Sequence, residues 1–247
     1  MTRRIYPRPP IVEAVVEMGL AASITGEALA DVLDRALGDS YLGERKRQDK
    51  VEVSASVAED TVSASARRRP HVVFLRSSDG RRLLGCAAQT LSVHVLAPYP
   101  GWERFIEQVE EAVGGLPSAI REGGLTKLAV RYIDRIELPE SALSFDDFLR
   151  VTPPKPEPMP STLSAFHSVT QTIDKDTGTV ASLTLASGPP ATDAGPVILY
   201  DLNLERHGSP LCELENGAWL PIVELLHQRQ RDVFEASITD KTRELFS

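Results

Sequence analysis

The stretch LAVRYIDRIELP, residues 128–139, decides how the rest of the chain is read. It is apolar, β-branched and alternating, so it reads as a strand in which Arg131, Ile133 and Arg135 point to one face and Tyr132, Asp134 and Ile136 to the other. Guanidinium groups on so apolar a strand need acceptors or solvent. The segment PIVEAVVEMGL, residues 10–20, supplies Glu13 and Glu17, four residues apart and on one face of a second strand. We expect these two strands to be neighbours, with carboxylates set against guanidiniums in a ladder that fixes their register. The same four residues admit another reading, a cleft in which Arg131 and Arg135 hold an anionic ligand.

Working outward, the strand at residues 10–20 is entered through the stiff YPRPP lead and followed by a helix. Thr25 caps that helix, Leu29, Val32, Leu33, Ala36 and Leu37 recur at helical spacing, and Gly38 supplies a left-handed stop. From about residue 49 to 97 the period changes to two. KVEVSASV, HVVFLR, RLLGCAAQ and LSVHVLA read as an antiparallel meander with a hairpin turn at Asp79 and Gly80. A helix with Trp102, Phe105, Ile106, Val109 and Val113 on one stripe precedes the 126–138 strand. After it come a short helix at 144–150, a proline-rich connector, three strands with DKDTG closing the first hairpin, and a terminal helix over 217–246. Ser237 or Thr239 is placed to interrupt that last helix.

The expected fold class is therefore α+β: two related units of strand, helix, antiparallel meander and helix, with a long C-terminal helix. The units would span residues 1–124 and 125–247, or merge into one compact domain. Composition agrees with an ordinary globular protein, 42% hydrophobic and 25% charged. No run approaches the roughly 18 apolar residues of a membrane span, and no apolar segment of signal-peptide type follows the basic start, so the expected location is the cytoplasm and no membrane partner is expected. The net charge of −8 is uneven: residues 1–100 hold 14 Lys+Arg against 12 Asp+Glu, and the remainder 13 against 23. That disfavours general nucleic-acid binding, although Arg67, Arg68, Arg69, Arg81 and Arg82 would make a local basic patch if the meander joined them. Defence of edge strands accounts for the same arginines.

Standard signatures are missing from the sequence: no phosphate-binding glycine loop, nucleophile elbow, HExxH pair or CxxC. Cys86 and Cys212 read as reduced thiols, DKDTG as a turn and not a calcium loop, and we expect neither a metal site nor a cofactor. Among five dispersed histidines His227 is the most informative, with Glu224 and Arg231 one turn away on the terminal helix.

Five stretches in order, YPRPPIVEAVVEM, VHVLAPYPGWERF, LAVRYIDRIELP, LYDLN and FEASITDKTRELF, resemble the motifs of a sporadically distributed bacterial family of uncharacterised proteins. The resemblance runs nearly end to end and implies a shared fold. It brings no activity, ligand or catalytic residue with it, and its motifs fall on Trp102, Arg131, Tyr132, Arg135, Thr239, Asp240 and Arg243.

The residues thus favour a binding or regulatory module with no catalytic site, acting as a homo-oligomer or with a protein partner. The alternative is an enzyme acting on a phosphate-bearing substrate or nucleic acid. Arg131 and Arg135 would then hold the anion while Glu13, Asp134 or His227 moved protons. Ligand-binding candidates are Arg131, Arg135, Glu13, Glu17 and His227, and the enzyme reading requires them to converge.

Overall fold

The computed structural model describes residues 4–58, 61–139, 144–154, 156, 158, 165–188 and 195–247, and the side chains of all of these except 49–58 and 61–71. The protein is α+β. Nine strands form one antiparallel sheet: β1 (Ile11–Leu20), β2 (Lys46–Ala58), β3 (Thr61–Arg76), β4 (Arg82–Ala87), β5 (Thr90–Leu96), β6 (Leu125–Glu137), β7 (His167–Asp174), β8 (Thr179–Gly188) and β9 (Val197–Cys212). Their spatial order is β2-β3-β4-β5-β1-β6-β9-β8-β7, so β1 and β6 lie at the centre and the chain's two halves extend from that pair in opposite directions.

The β1–β6 register pairs Ala14 with Tyr132, Val16 with Val130 and Met18 with Leu128, and all six are buried. Continued onto β9, the same phase buries Ile198, Tyr200, Leu202 and Leu204. Against this apolar face pack α1 (Gly26–Leu37), α2 (Trp102–Gly114) and α4 (Leu220–Ser237). Leu29 and Leu33 of α1, Phe105 and Val109 of α2, and Val223 and Leu226 of α4 are fully buried and belong to the one core. The amphipathic stripes of these helices, three to four residues apart, are what the sheet covers.

Several expected boundaries move. The terminal helix does not run through 217–246. It ends at Ser237, whose hydroxyl donates to the Val233 carbonyl at 2.7 Å, and Ile238 is extended and bridges to Leu149. Thr239 then caps a short α5 (Asp240–Glu244) by accepting from the Thr242 amide. Gly38 is right-handed and opens a 3-10 turn, so it is no left-handed stop. The 144–150 segment forms only a 3-10 turn, Phe145–Asp147, with Ser144 accepting from the Asp146 amide as its cap. The helix α3 (Ser118–Gly123), which the sequence reading passed over, leads into β6 through Gly124 at φ +75°. The DKDTG turn forms as expected: Asp174 accepts from the amides of Asp176 and Thr177, and Gly178 takes positive φ.

Residues 4–10 run as a strap across the helix side of the sheet. The Tyr6 hydroxyl donates to Glu235 at 2.6 Å, the Arg8 amide donates to the Phe246 carbonyl at 3.2 Å, and the Tyr6 ring meets Phe246 edge-on. Arg243 holds the same corner through Glu235 and Asp240. The resembling motif at the end of the chain therefore fastens the strap and α5 to α4.

Because both halves share one sheet and one core, urea unfolding should proceed in a single transition. Leu128→Ala, a cavity-creating change in β6, should lower stability by about 2–5 kcal/mol without splitting that transition. Two resolved transitions in the variant would show that the halves unfold separately.

Candidate functional site

The central strands carry different chemistry on their two faces. On the face opposite the helices, β1, β6 and β9 line a groove of about 560 Å³. Arg131 is there with Glu13 and Glu17, but the expected pairs do not form. Arg131 binds Asp201 through Nε at 2.7 Å, Lys127 reaches Glu17 at 2.8 Å and Glu205 at 3.0 Å, and Glu13 takes His94 at 2.7 Å. Arg135 pairs with Glu137 on its own strand at 3.0 Å. A ladder exists, with partners drawn from β5 and β9 as well as β1. The hydrogen bond from His94 holds the Glu13 carboxyl below its ordinary range, and the groove's carboxylates and cations answer one another.

Across the sheet lies a second space, a cavity of about 410 Å³ between the sheet, α2 and α4, roofed by the strap. Tyr132 and Asp134 face it from β6, Tyr200 from β9, Tyr99 and Trp102 from the start of α2, and His227 and Gln230 from α4. Most of its polar atoms are engaged by the protein. The Tyr132 hydroxyl lies 3.1 Å from that of Tyr99 and 3.0 Å from His227 Nδ1, forming a chain of three groups. Trp102 stacks on the His227 ring with centroids 3.8 Å apart and planes within 6°, while its indole N–H donates to Glu224 at 2.7 Å. Burial pushes the Tyr132 phenol well above its ordinary range, so it is a neutral hydrogen-bonding group at all ordinary pH.

Asp134 differs from the rest. Its side chain lines the cavity, the residue is only 4% exposed, and no hydrogen bond reaches its carboxyl among the described residues. Its cross-strand neighbours are Ile11 and Tyr200. Burial is the main cause that lifts its pKa from 3.8 to about 8, and the charge of Asp201, on the far face of β9, adds to the rise.

The structure thus separates the predicted site residues. Glu13, Glu17 and Arg131 line the groove, Arg135 shares the face of Arg131 on β6 beyond it, and His227 is across the sheet with Asp134. Of the enzyme reading's groups, Arg131 and Glu13 share the groove, where Asp201 and His94 engage them, whereas Asp134 and His227 lie on the other face, so the set does not converge as a whole. Of the basic patch, Arg82 is committed locally, to Glu111 and the Tyr41 ring, and the nearby Arg45 and Arg47 pair with acids of α1. The side chains of Arg67, Arg68 and Arg69 lie outside the described residues. No group of three or more metal-ligating side chains occurs among the described residues, and Cys86 is buried with its thiol pushed up to about 12. Sequence reasoning left Asp134 out of the binding set, although its phase on β6 marks it as a charged residue turned inward.

No family model and no curated protein matches this chain. Among solved structures it is similar to the di-domain aromatase/cyclase StfQ from the steffimycin biosynthetic pathway, at 12% identity and a TM-score of 0.25 over 95% of this chain and 96% of that one. So distant a likeness carries no argument about either fold or activity.

Two consequences are measurable. Arg131 is 44% exposed at its side chain, so Arg131→Ala should cost only about 1 kcal/mol in urea unfolding, not the 3–5 expected of a buried pair. Asp134 makes stability depend on pH. Folded, it keeps its proton up to about pH 8, whereas unfolded it releases it near 3.8. Between those values the folded state binds more protons, so stability falls as pH rises, by at most about 1.4 kcal/mol per unit. Asp134→Asn should flatten that slope, read as urea midpoints from pH 5 to pH 8.

Proposed function

We propose that the protein is a small-molecule-binding module whose site is the strap-covered cavity on the helix side of the sheet. The observation that carries this reading is Asp134: an unpartnered carboxyl buried at the wall of an open space large enough for a ligand. A buried polar group with no partner costs stability, and proteins keep such groups mostly where another molecule satisfies them. The surroundings fit, since ligand sites are concave and largely apolar with a few convergent polar groups. Six rings, those of Tyr6, Tyr99, Trp102, Tyr132, Tyr200 and Phe234, line this one. Trp102 and Tyr132 are also positions on which the resembling bacterial motifs fall, and we propose membership of that family on those motifs.

The other face supports no ligand as well. Its ion pairs account for the charges there and suit a register-setting role. The apolar residues Val223 and Leu226 of α4 are spent on this chain's own sheet. A cytoplasmic location and a homo-oligomer or protein partner remain part of the proposal. No helix among the described residues is long and apolar enough to cross a membrane.

Native mass spectrometry of gently purified protein should show a small-molecule adduct on the wild type and none on Asp134→Leu, which keeps the branching of the side chain but removes the carboxyl. The same spectra report the oligomer. Wild-type protein that carries no adduct, and whose melting temperature responds to no member of a metabolite panel, would overturn the proposal.

A further inference from the structure

The hydrogen-bond inventory of the cavity limits what can fill it. The Tyr and Trp polar atoms there are occupied: Tyr6 with Glu235, Tyr99 with Tyr132, Tyr132 with His227, Tyr200 with Ser237 at 3.1 Å, and Trp102 with Glu224. Gln230 is 2% exposed and donates its amide to the Leu202 carbonyl at 2.8 Å. Because a carbonyl can only accept, that contact fixes the amide's orientation and leaves Oε1 as the side chain's acceptor, which has no hydrogen-bond partner. Among the described residues the deep wall therefore holds two unmet groups, the Asp134 carboxyl, which lines the cavity, and Gln230 Oε1, which is buried beneath the lining, and once Asp134 is ionised both accept. Ring faces surround them, and ring faces attract cations. Charged donors sit farther out: Arg4 is exposed, Arg231 is partly exposed and donates to the Arg4 carbonyl at 3.4 Å, and Glu103 and Glu235 accompany them, so the rim carries both signs.

We infer that the cavity takes an organic amine in its ammonium form, with its N–H groups directed at Asp134 and its carbon body against the rings. This rests on the cavity being a ligand site, and it adds the ligand's chemical class. An ammonium would give the buried carboxylate its missing counter-charge and supply the donors that the wall lacks. Once Asp134 is ionised, a carboxylate ligand would meet a like charge there.

Three probes of similar shape separate these classes: benzylammonium, benzyl alcohol and benzoate, titrated at pH 8 against tryptophan fluorescence, to which Trp102 contributes. Benzylammonium should bind at least about tenfold more tightly than benzyl alcohol, the difference a charge-assisted bond makes. Asp134→Asn, checked for folding by thermal unfolding, should abolish that preference while retaining benzyl alcohol. If benzyl alcohol or benzoate binds as well as the ammonium, or if Asp134→Asn leaves the preference intact, the cation assignment is overturned and the cavity remains a ligand site. If none of the three saturates in the millimolar range, both the assignment and the ligand-site reading fall.

Discussion

The antiparallel pairing of β1 with β6 is the constraint on which the rest of the structure depends. These are the two central strands of a nine-stranded sheet, and every other strand is reached through them. Because side chains alternate along a strand, the pairing of Val16 with Val130 also determines which chemistry goes to which side. It sends Ala14, Met18, Leu128, Tyr132 and Asp134 toward the helices, and Glu13, Glu17, Lys127 and Arg131 away from them. A slip of one residue would bury the ion pairs and expose the core, so the hydrophobic pattern and the electrostatics enforce the same register.

The two faces then solve the problem of buried charge differently. On the groove side each strand contributes a partner, and the ion pairs join β5, β1, β6 and β9 edge to edge. That network is partly exposed, so its contribution to stability is modest and its main effect is on specificity. On the helix side the aromatic groups satisfy one another through the Tyr99–Tyr132–His227 chain and the Trp102–Glu224 contact. Asp134 is left over. A protein optimised for stability alone would place an apolar residue there, and the retention of a carboxyl beside an open cavity points to a purpose that stability does not explain.

Much of this was legible in the sequence. Alternation in residues 128–139 located the central strand and correctly divided Arg131 and Arg135 from Tyr132 and Asp134. The helical stripe containing Phe105 and Val109 likewise identified α2. What failed was partner choice. Glu13 and Glu17 have the right spacing for Arg131 and Arg135, but strand order was not in the sequence, and β5 and β9 bring His94 and Asp201 closer. Local pattern also could not show that Ile238 would leave the terminal helix to bridge Leu149, a contact 89 residues distant along the chain. His227 meets Tyr132 and Trp102 across the core, contacts that the spacing of its own helix could not show.

The most direct test is a titration of the Asp134 carboxyl carbon by NMR in protein labelled at aspartate, assigned by its loss in Asp134→Asn. The account predicts a midpoint near 8, far from the other aspartates, because the group is buried beside the cavity without a partner. A midpoint near 4 would mean that the carboxyl is solvated or already paired within the protein, and the cavity would lose the feature that marks it as a site.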